Sequence, residues 1–145
     1  MSNLEDFLSS EEEQEIVQAI TQAERNTSGE IRVHIESTTK LRHYDRALEV
    51  FQKLEMNKTE QQNGVLIYIA VEDHKFVIYG DKGIDAVVPD NFWDSTKNII
   101  QECFISGKFK EGIVEGILKA GDELKSHFPW NSNDKDELSN EISKG

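Results

Sequence analysis

The run Val65-Leu66-Ile67-Tyr68-Ile69-Ala70-Val71 is apolar at every position, and that constrains the fold more than any other feature. A strand with no polar side belongs in the middle of a sheet covered on both faces. Upstream, Glu30 to Glu36 alternates, with Ile31, Val33 and Ile35 on one side and Glu30, Arg32, His34 and Glu36 on the other. This is the pattern of a strand with one apolar face. Between the two lie Ala47, Leu48, Val50, Phe51 and Leu54 at helical spacing. Strand, helix, strand in that order predicts parallel pairing through a right-handed crossover. Lys75 to Tyr79 then returns across the polar turn Glu72-Asp73-His74 as an antiparallel hairpin strand.

Helices account for the rest. Ser10-Glu11-Glu12-Glu13 reads as a capping box, ahead of an apolar face made by Ile16, Val17, Ile20 and Ala23. Asn26-Thr27-Ser28-Gly29 ends that helix. Pro89-Asp90 reads as the start of another, with Ile99, Ile100, Cys103 and Phe104 on its buried side. The last carries Phe109, Ile113, Ile117, Leu124 and Phe128, plus a flat stripe of Gly112, Gly116 and Ala120, and stops at Pro129. The expected organisation is a flexible acidic N-terminus over 1–10, one α/β domain over 11–129 and a polar C-terminal tail over 130–145.

The net charge is −12, but residues 1–15 hold six acids and no base, which places much of it at one end. Clustered Lys and Arg, which a phosphate backbone requires, are missing, so nucleic acid is not an expected partner. No apolar run approaches the ~20 residues of a membrane helix, and the start lacks the pattern of a signal peptide. With Cys103 alone, no internal disulfide is available. The expectation is a cytoplasmic monomer with no membrane insertion.

The topology gathers loops at two ends of the sheet. At one end lie Ser28, Gly29 and Glu30, then Asn63-Gly64, then Gly80-Asp81-Lys82-Gly83-Ile84-Asp85. Asp81 and Asp85 flank Gly83, which can bend the chain, and Ca²⁺ takes about six to eight oxygens from carboxylates and carbonyls. Glu30, Asp81 and Asp85 are therefore the first-choice ligands, in loops shaped by Ser28, Gly29, Asn63, Gly64, Gly80 and Gly83. The other end holds Glu36, Asp45, Glu72 and Asp73, the second choice, at the edge where open α/β sheets usually bind ligands. Solvated turn acids explain either group without a metal, and the second group more readily than the first, because a hairpin turn favours acidic residues for solvation alone. Asn131-Ser132-Asn133-Asp134-Lys135-Asp136 looks similar, but Lys135 stands where an oxygen ligand should.

Protein-only nucleophilic catalysis finds no support: there is no G-x-S-x-G elbow and no H-E-x-x-H spacing. Catalytic residues are therefore assigned to none. His34 and His74 are expected to be exposed, Cys103 to be core, and Trp93 and Trp130 to serve packing. The G-x-x-G spacing of Gly80 to Gly83 suits an RNA-binding loop poorly amid so many acids.

Four segments in order, Thr27-Ser28-Gly29-Glu30-Ile31-Arg32-Val33, Asn63-Gly64-Val65-Leu66-Ile67, Gly80-Asp81-Lys82-Gly83-Ile84, and Gly107-Lys108-Phe109 with Gly112-Ile113, resemble the TPM domain family from about Glu12 to Phe128. The resemblance implies an α/β/α sandwich around a small mixed sheet, two parallel strands plus an antiparallel hairpin strand, flanked by helices. The family includes a thylakoid-lumen acid phosphatase that binds calcium, and bacterial membrane-anchored proteins. The leading expectation is binding of Ca²⁺ or Mg²⁺ through loop carboxylates, in a structural role or to recruit a protein partner. The alternatives are a metal-dependent acid phosphatase, with the metal activating a water, and an interaction module without ligand that uses the Gly112/Gly116 stripe or the acidic N-terminal segment.

Overall fold

The computed structural model describes residues 7–130 and 139–145. Helix α1 spans Ser10–Glu24, strand β1 Glu30–Glu36, and helix α2 His43–Lys53. A 3-10 turn at Met56–Lys58 leads to β2, Gly64–Ala70, and β3, Lys75–Gly80. Then come α3 (Lys82–Asp85), α4 (Asp94–Ile105), α5 (Phe109–Leu124) and β4 (Ser143–Lys144). The sheet order is β3-β2-β1-β4. β2 is parallel to β1, β3 antiparallel to β2, as the sequence predicts.

β4 was not foreseen. The sequence treats the end of the chain as a polar tail, yet Ser143 and Lys144 pair in parallel with His34 and Ile35. A two-residue strand carries too little periodicity to read from sequence; the backbone and side-chain partners that β1 offers make it. The tail stretch Asn131 to Asp136 lies outside the described residues, and Trp130 just before it, expected to serve packing, is exposed instead.

Register sorts the side chains into two cores. Ile31, Val33 and Ile35 pair with Val65, Ile67 and Ile69 and pack with Ile16, Ile20, Ile113, Ile117 and Leu124 of α1 and α5. On the opposite face Leu66, Tyr68 and Ala70 pack with Ala47, Val50 and Phe51 of α2 and with Met56. β2 is buried at every position, which is why its sequence tolerates no polar side. The polar face of β1 instead lies beside the α2 core, where Glu30, His34 and Glu36 are buried all the same.

Local expectations shift in three places. The capping box uses Ser9 and Glu12, one residue earlier than Ser10 and Glu13, because Ser9 is the residue with extended backbone. Its hydroxyl accepts from the Glu12 amide at 3.1 Å and the Glu12 carboxylate accepts from the Ser9 amide at 3.0 Å. Pro89 opens hydrogen-bonded turns, Phe92 N to Pro89 O and Asp94 N to Asn91 O, and α4 begins only at Asp94. The Gly112/Gly116 stripe is filled from within: a Cβ at Gly112 would meet Phe104 at 2.9 Å, and one at Gly116 would meet Ile100 at 2.6 Å. That face seats α4 and is not available to another molecule.

Candidate functional site

At the end where β1 and β2 begin, Gly64 pairs with Glu30 on one side and its carbonyl accepts from Asp81 N at 3.0 Å on the other. Asp81 ends the hairpin strand with extended backbone and starts α3, its Oδ1 accepting from Lys82 N at 2.8 Å. The chain then bends back beneath β2, with Gly83 N donating to Gln62 O at 2.8 Å. A Cβ at Gly83 would collide with the Gln61 and Gln62 carbonyls, so the bend requires glycine. Gly80 lies against Trp93, and Gly29 against Leu124. Asn63, buried, donates from Nδ2 to the Ser28 hydroxyl at 3.3 Å and so ties the two loops together.

Asp81 is 5% exposed, and its Oδ2 is buried with no hydrogen-bond partner among the described residues. Burial raises the Asp85 carboxyl above its ordinary value, and the charges of Asp81 and Asp90 raise it further. Neither Asp81 nor Asp85 is ion-paired with a described residue. This end of the sheet holds uncompensated negative charge. Glu30 is also buried, but it does not form a three-carboxylate cluster with Asp81 and Asp85. Among the described residues no three His, Cys, Asp or Glu side chains come together as a ready-made metal centre.

The other end is arranged differently. Glu36, 4% exposed, accepts from Arg46 Nε at 2.8 Å and Nη2 at 2.7 Å, from the Tyr68 hydroxyl, and from His34 Nε2 at 3.1 Å. Burial pushes the Glu36 carboxyl up, but the bonds from Arg46, Tyr68 and His34 outweigh it and hold the group at about 2. Tyr68 is driven the other way, by burial first and then by the adjacent carboxylate. Asp73 accepts from the Thr38 hydroxyl at 2.6 Å, Thr39 N at 3.3 Å and His43 Nε2 at 2.9 Å, which draws its carboxyl down. Asp45 pairs with Arg42 at 3.0 Å. Three of the four second-choice carboxylates therefore answer to side-chain donors already in place.

His34 is buried, 5% exposed, and this corrects the expectation that it is solvated. Burial pulls its pKa below the usual imidazole value despite the hydrogen bond from its ring to Glu36. An ionised Glu36 can only accept, so Nε2 carries the proton, and Nδ1 accepts from the Ser143 hydroxyl at 2.8 Å. Serine, neutral imidazole and carboxylate in a row is the order used in acyl transfer. Here the carboxylate charge is already balanced by the Arg46 fork, and the hydroxyl belongs to β4. The row seats the last strand: Gly145 N donates to Ile35 O at 3.0 Å, directly over the His34 and Glu36 side chains.

The TPM domain profile matches residues 1–123. The chain belongs to the TPM domain family. The BA42 protein of the psychrophilic bacterium Bizionia argentinensis, known from an NMR structure, is 60% identical, with a TM-score of 0.94 over 100% of both chains. Two more distant domains share the fold. The N-terminal domain of a P. gingivalis protein is 20% identical with TM-score 0.69, over 84% of this chain and 79% of that one. The N-terminal domain of the cg2496 protein of Corynebacterium glutamicum is 12% identical with TM-score 0.65, over 98% and 84%. No protein of curated function matches the chain in sequence. Among the described residues of this TPM domain, no helix is long and apolar enough to cross a membrane.

Of the residues that sequence reasoning selected, the TPM fold brings Asp81 and Asp85 together and holds Glu30 apart. It gives Glu36, Asp45 and Asp73 to partners, while Glu72 stays exposed in the hairpin turn. Arg46, Tyr68 and Ser143 were missed. Arg46 alone carried a signal, being the base one residue past Asp45 on a helix that must cross Glu36's face of the sheet.

Proposed function

We propose that this TPM domain binds a divalent cation, Ca²⁺ or Mg²⁺, reversibly at the end of the sheet where β1 and β2 begin, through Asp81 and Asp85. The observation that carries the reading is the buried Asp81 Oδ2 with no partner, next to a second carboxyl whose ionisation it opposes. An anionic oxygen withdrawn from water without a counter-charge is costly, and a cation between the two carboxylates relieves both. Two carboxylates form a sparse ligand set, leaving the rest to carbonyls and water, so affinity belongs to the weak end of the Ca²⁺ range. The role that follows is to order the Gly80–Asp85 bend or to present it to a protein partner. Phosphatase chemistry has less behind it, because Arg46, the base best held near a ligand-binding edge, is committed to Glu36 and Glu49.

A two-dimensional amide NMR titration of metal-free protein with Ca²⁺ and then Mg²⁺ tests this. Saturable shifts should be confined to residues 28–30, 63–64 and 80–85, and should disappear in Asp81→Asn, whose amide oxygen still caps α3. Diffuse shifts, shifts centred on 36–45 and 72–74, or an unaltered response in Asp81→Asn would each overturn it.

A further inference from the structure

A cavity of about 380 Å³, open to solvent, lies where β2 ends, on the α1/α5 side of the sheet. Phe7, Phe76, Phe104 and Phe109 line it. The rings form a chain: Phe7 to Phe109 at 5.0 Å, Phe109 to Phe104 at 5.5 Å, Phe104 to Phe76 at 5.6 Å. Ile105, 78% exposed and the most exposed large apolar side chain described, extends the apolar surface to the rim. The position is the C-terminal edge of a parallel strand, where open α/β sheets take ligands. The volume falls within the span of small-molecule pockets, towards its lower end.

Charge selects the occupant. The chain carries 28 acids against 16 bases, yet among the described residues no Asp or Glu lines this cavity, and the two ionisable ones that do are His74 and Lys75. Lys75 has no ion-pair partner among the described residues. Asp73, the nearest acid in the turn, is held by Thr38, Thr39 and His43. His74 itself sits in left-handed backbone, φ 55°, a conformation uncommon for a residue with a side chain. An apolar, ring-lined floor beneath a basic rim is complementary to an apolar body with a single anionic head.

We infer that this cavity binds a small aromatic monocarboxylate, ring inward among the phenylalanines and carboxylate at the His74–Lys75 rim. The site is separate from the acidic end of the sheet, and its occupancy does not depend on a cation there. The test uses three probes of one shape: 3-phenylpropionate, 3-phenylpropionamide and 3-phenylpropylamine. Each is titrated into the full chain and followed by amide NMR. The acid should give saturable shifts confined to residues 69–71, 74–76 and 101–109. The amide should bind about threefold more weakly, the value of one exposed charge contact, and the amine more weakly still. Lys75→Glu removes no described ion pair or side-chain hydrogen bond and should abolish the preference for acid over amide, while Val71→Phe, at another lining residue, should fill the cavity and reduce binding of all three. Absence of saturable shifts with the acid, equal binding of acid and amine, or a charge preference unchanged in Lys75→Glu would overturn the inference.

Discussion

Glu36→Gln should cost this domain about 3 kcal/mol at neutral pH and much less in acid. The substitution keeps the size of the side chain and removes its charge, as protonation does. In the native protein the carboxyl is held at about 2 against an ordinary 4.5, and each pH unit of that difference corresponds to about 1.36 kcal/mol. The sign follows from the direction. A depressed carboxyl contributes fully above 4.5, where the unfolded chain is ionised as well, and loses its contribution as pH falls towards 2. The gap between wild type and variant should therefore shrink to ~1 kcal/mol by about pH 3. The cost is consistent with the ~3–5 kcal/mol typical of breaking one side of a buried pair, since Arg46 keeps Glu49 as a second partner. Urea unfolding of both proteins at pH 7, 5 and 3 measures it directly. A gap that is below ~1 kcal/mol at pH 7, or that does not change with pH, would refute the claim that the Arg46–Tyr68–His34 donors stabilise an ionised Glu36.

Gly83→Ala should destabilise by about 1–3 kcal/mol, the usual cost of forced overpacking, because the new methyl group meets the Gln61 and Gln62 carbonyls on rigid backbone; denaturant midpoints at constant slope would show it. The Asp85 side chain should titrate above the ordinary 3.8, since burial and the Asp81 and Asp90 charges raise it. A raised acid is less stable ionised in the fold than in the unfolded chain, so Asp85→Asn should stabilise the metal-free protein above that pH and leave it unchanged well below. Carboxyl carbon NMR on wild type and Asp81→Asn would follow the titration, which should move back towards 3.8 in the variant.

How much of this was legible depends on the range of each interaction. The unbroken apolar run of β2, the alternation of β1 and the helical spacing of α1, α2 and α5 are local patterns, and each states in one dimension which side is buried. They were enough to order a parallel pair, a hairpin and the covering helices. That the chain bends at Gly83 was likewise legible, but that no Cβ fits there was not, because the Gln61 and Gln62 carbonyls come from the loop before β2.

The candidate sites were legible as lists of residues and not as sites. Charge counting places Glu36 and Asp81 in the same class, two acids at strand ends. The tertiary structure separates them: α2 lays Arg46 over Glu36, while no described base reaches Asp81. His34 sits on the polar side of an alternating strand, and its burial draws on Tyr68, Glu36 and, from more than a hundred residues away, Ser143 and Gly145. Ring-lined cavities such as that between Phe7, Phe76, Phe104 and Phe109 have no sequence signature, since four apolar residues from four segments look like core until packing leaves space between them. Sequence thus determined which apolar faces avoid water, because that depends on each residue's own chemistry, but not that the polar face of β1 is buried as well. Tertiary structure decided which charges are balanced, because that depends on neighbours the chain supplies from far away.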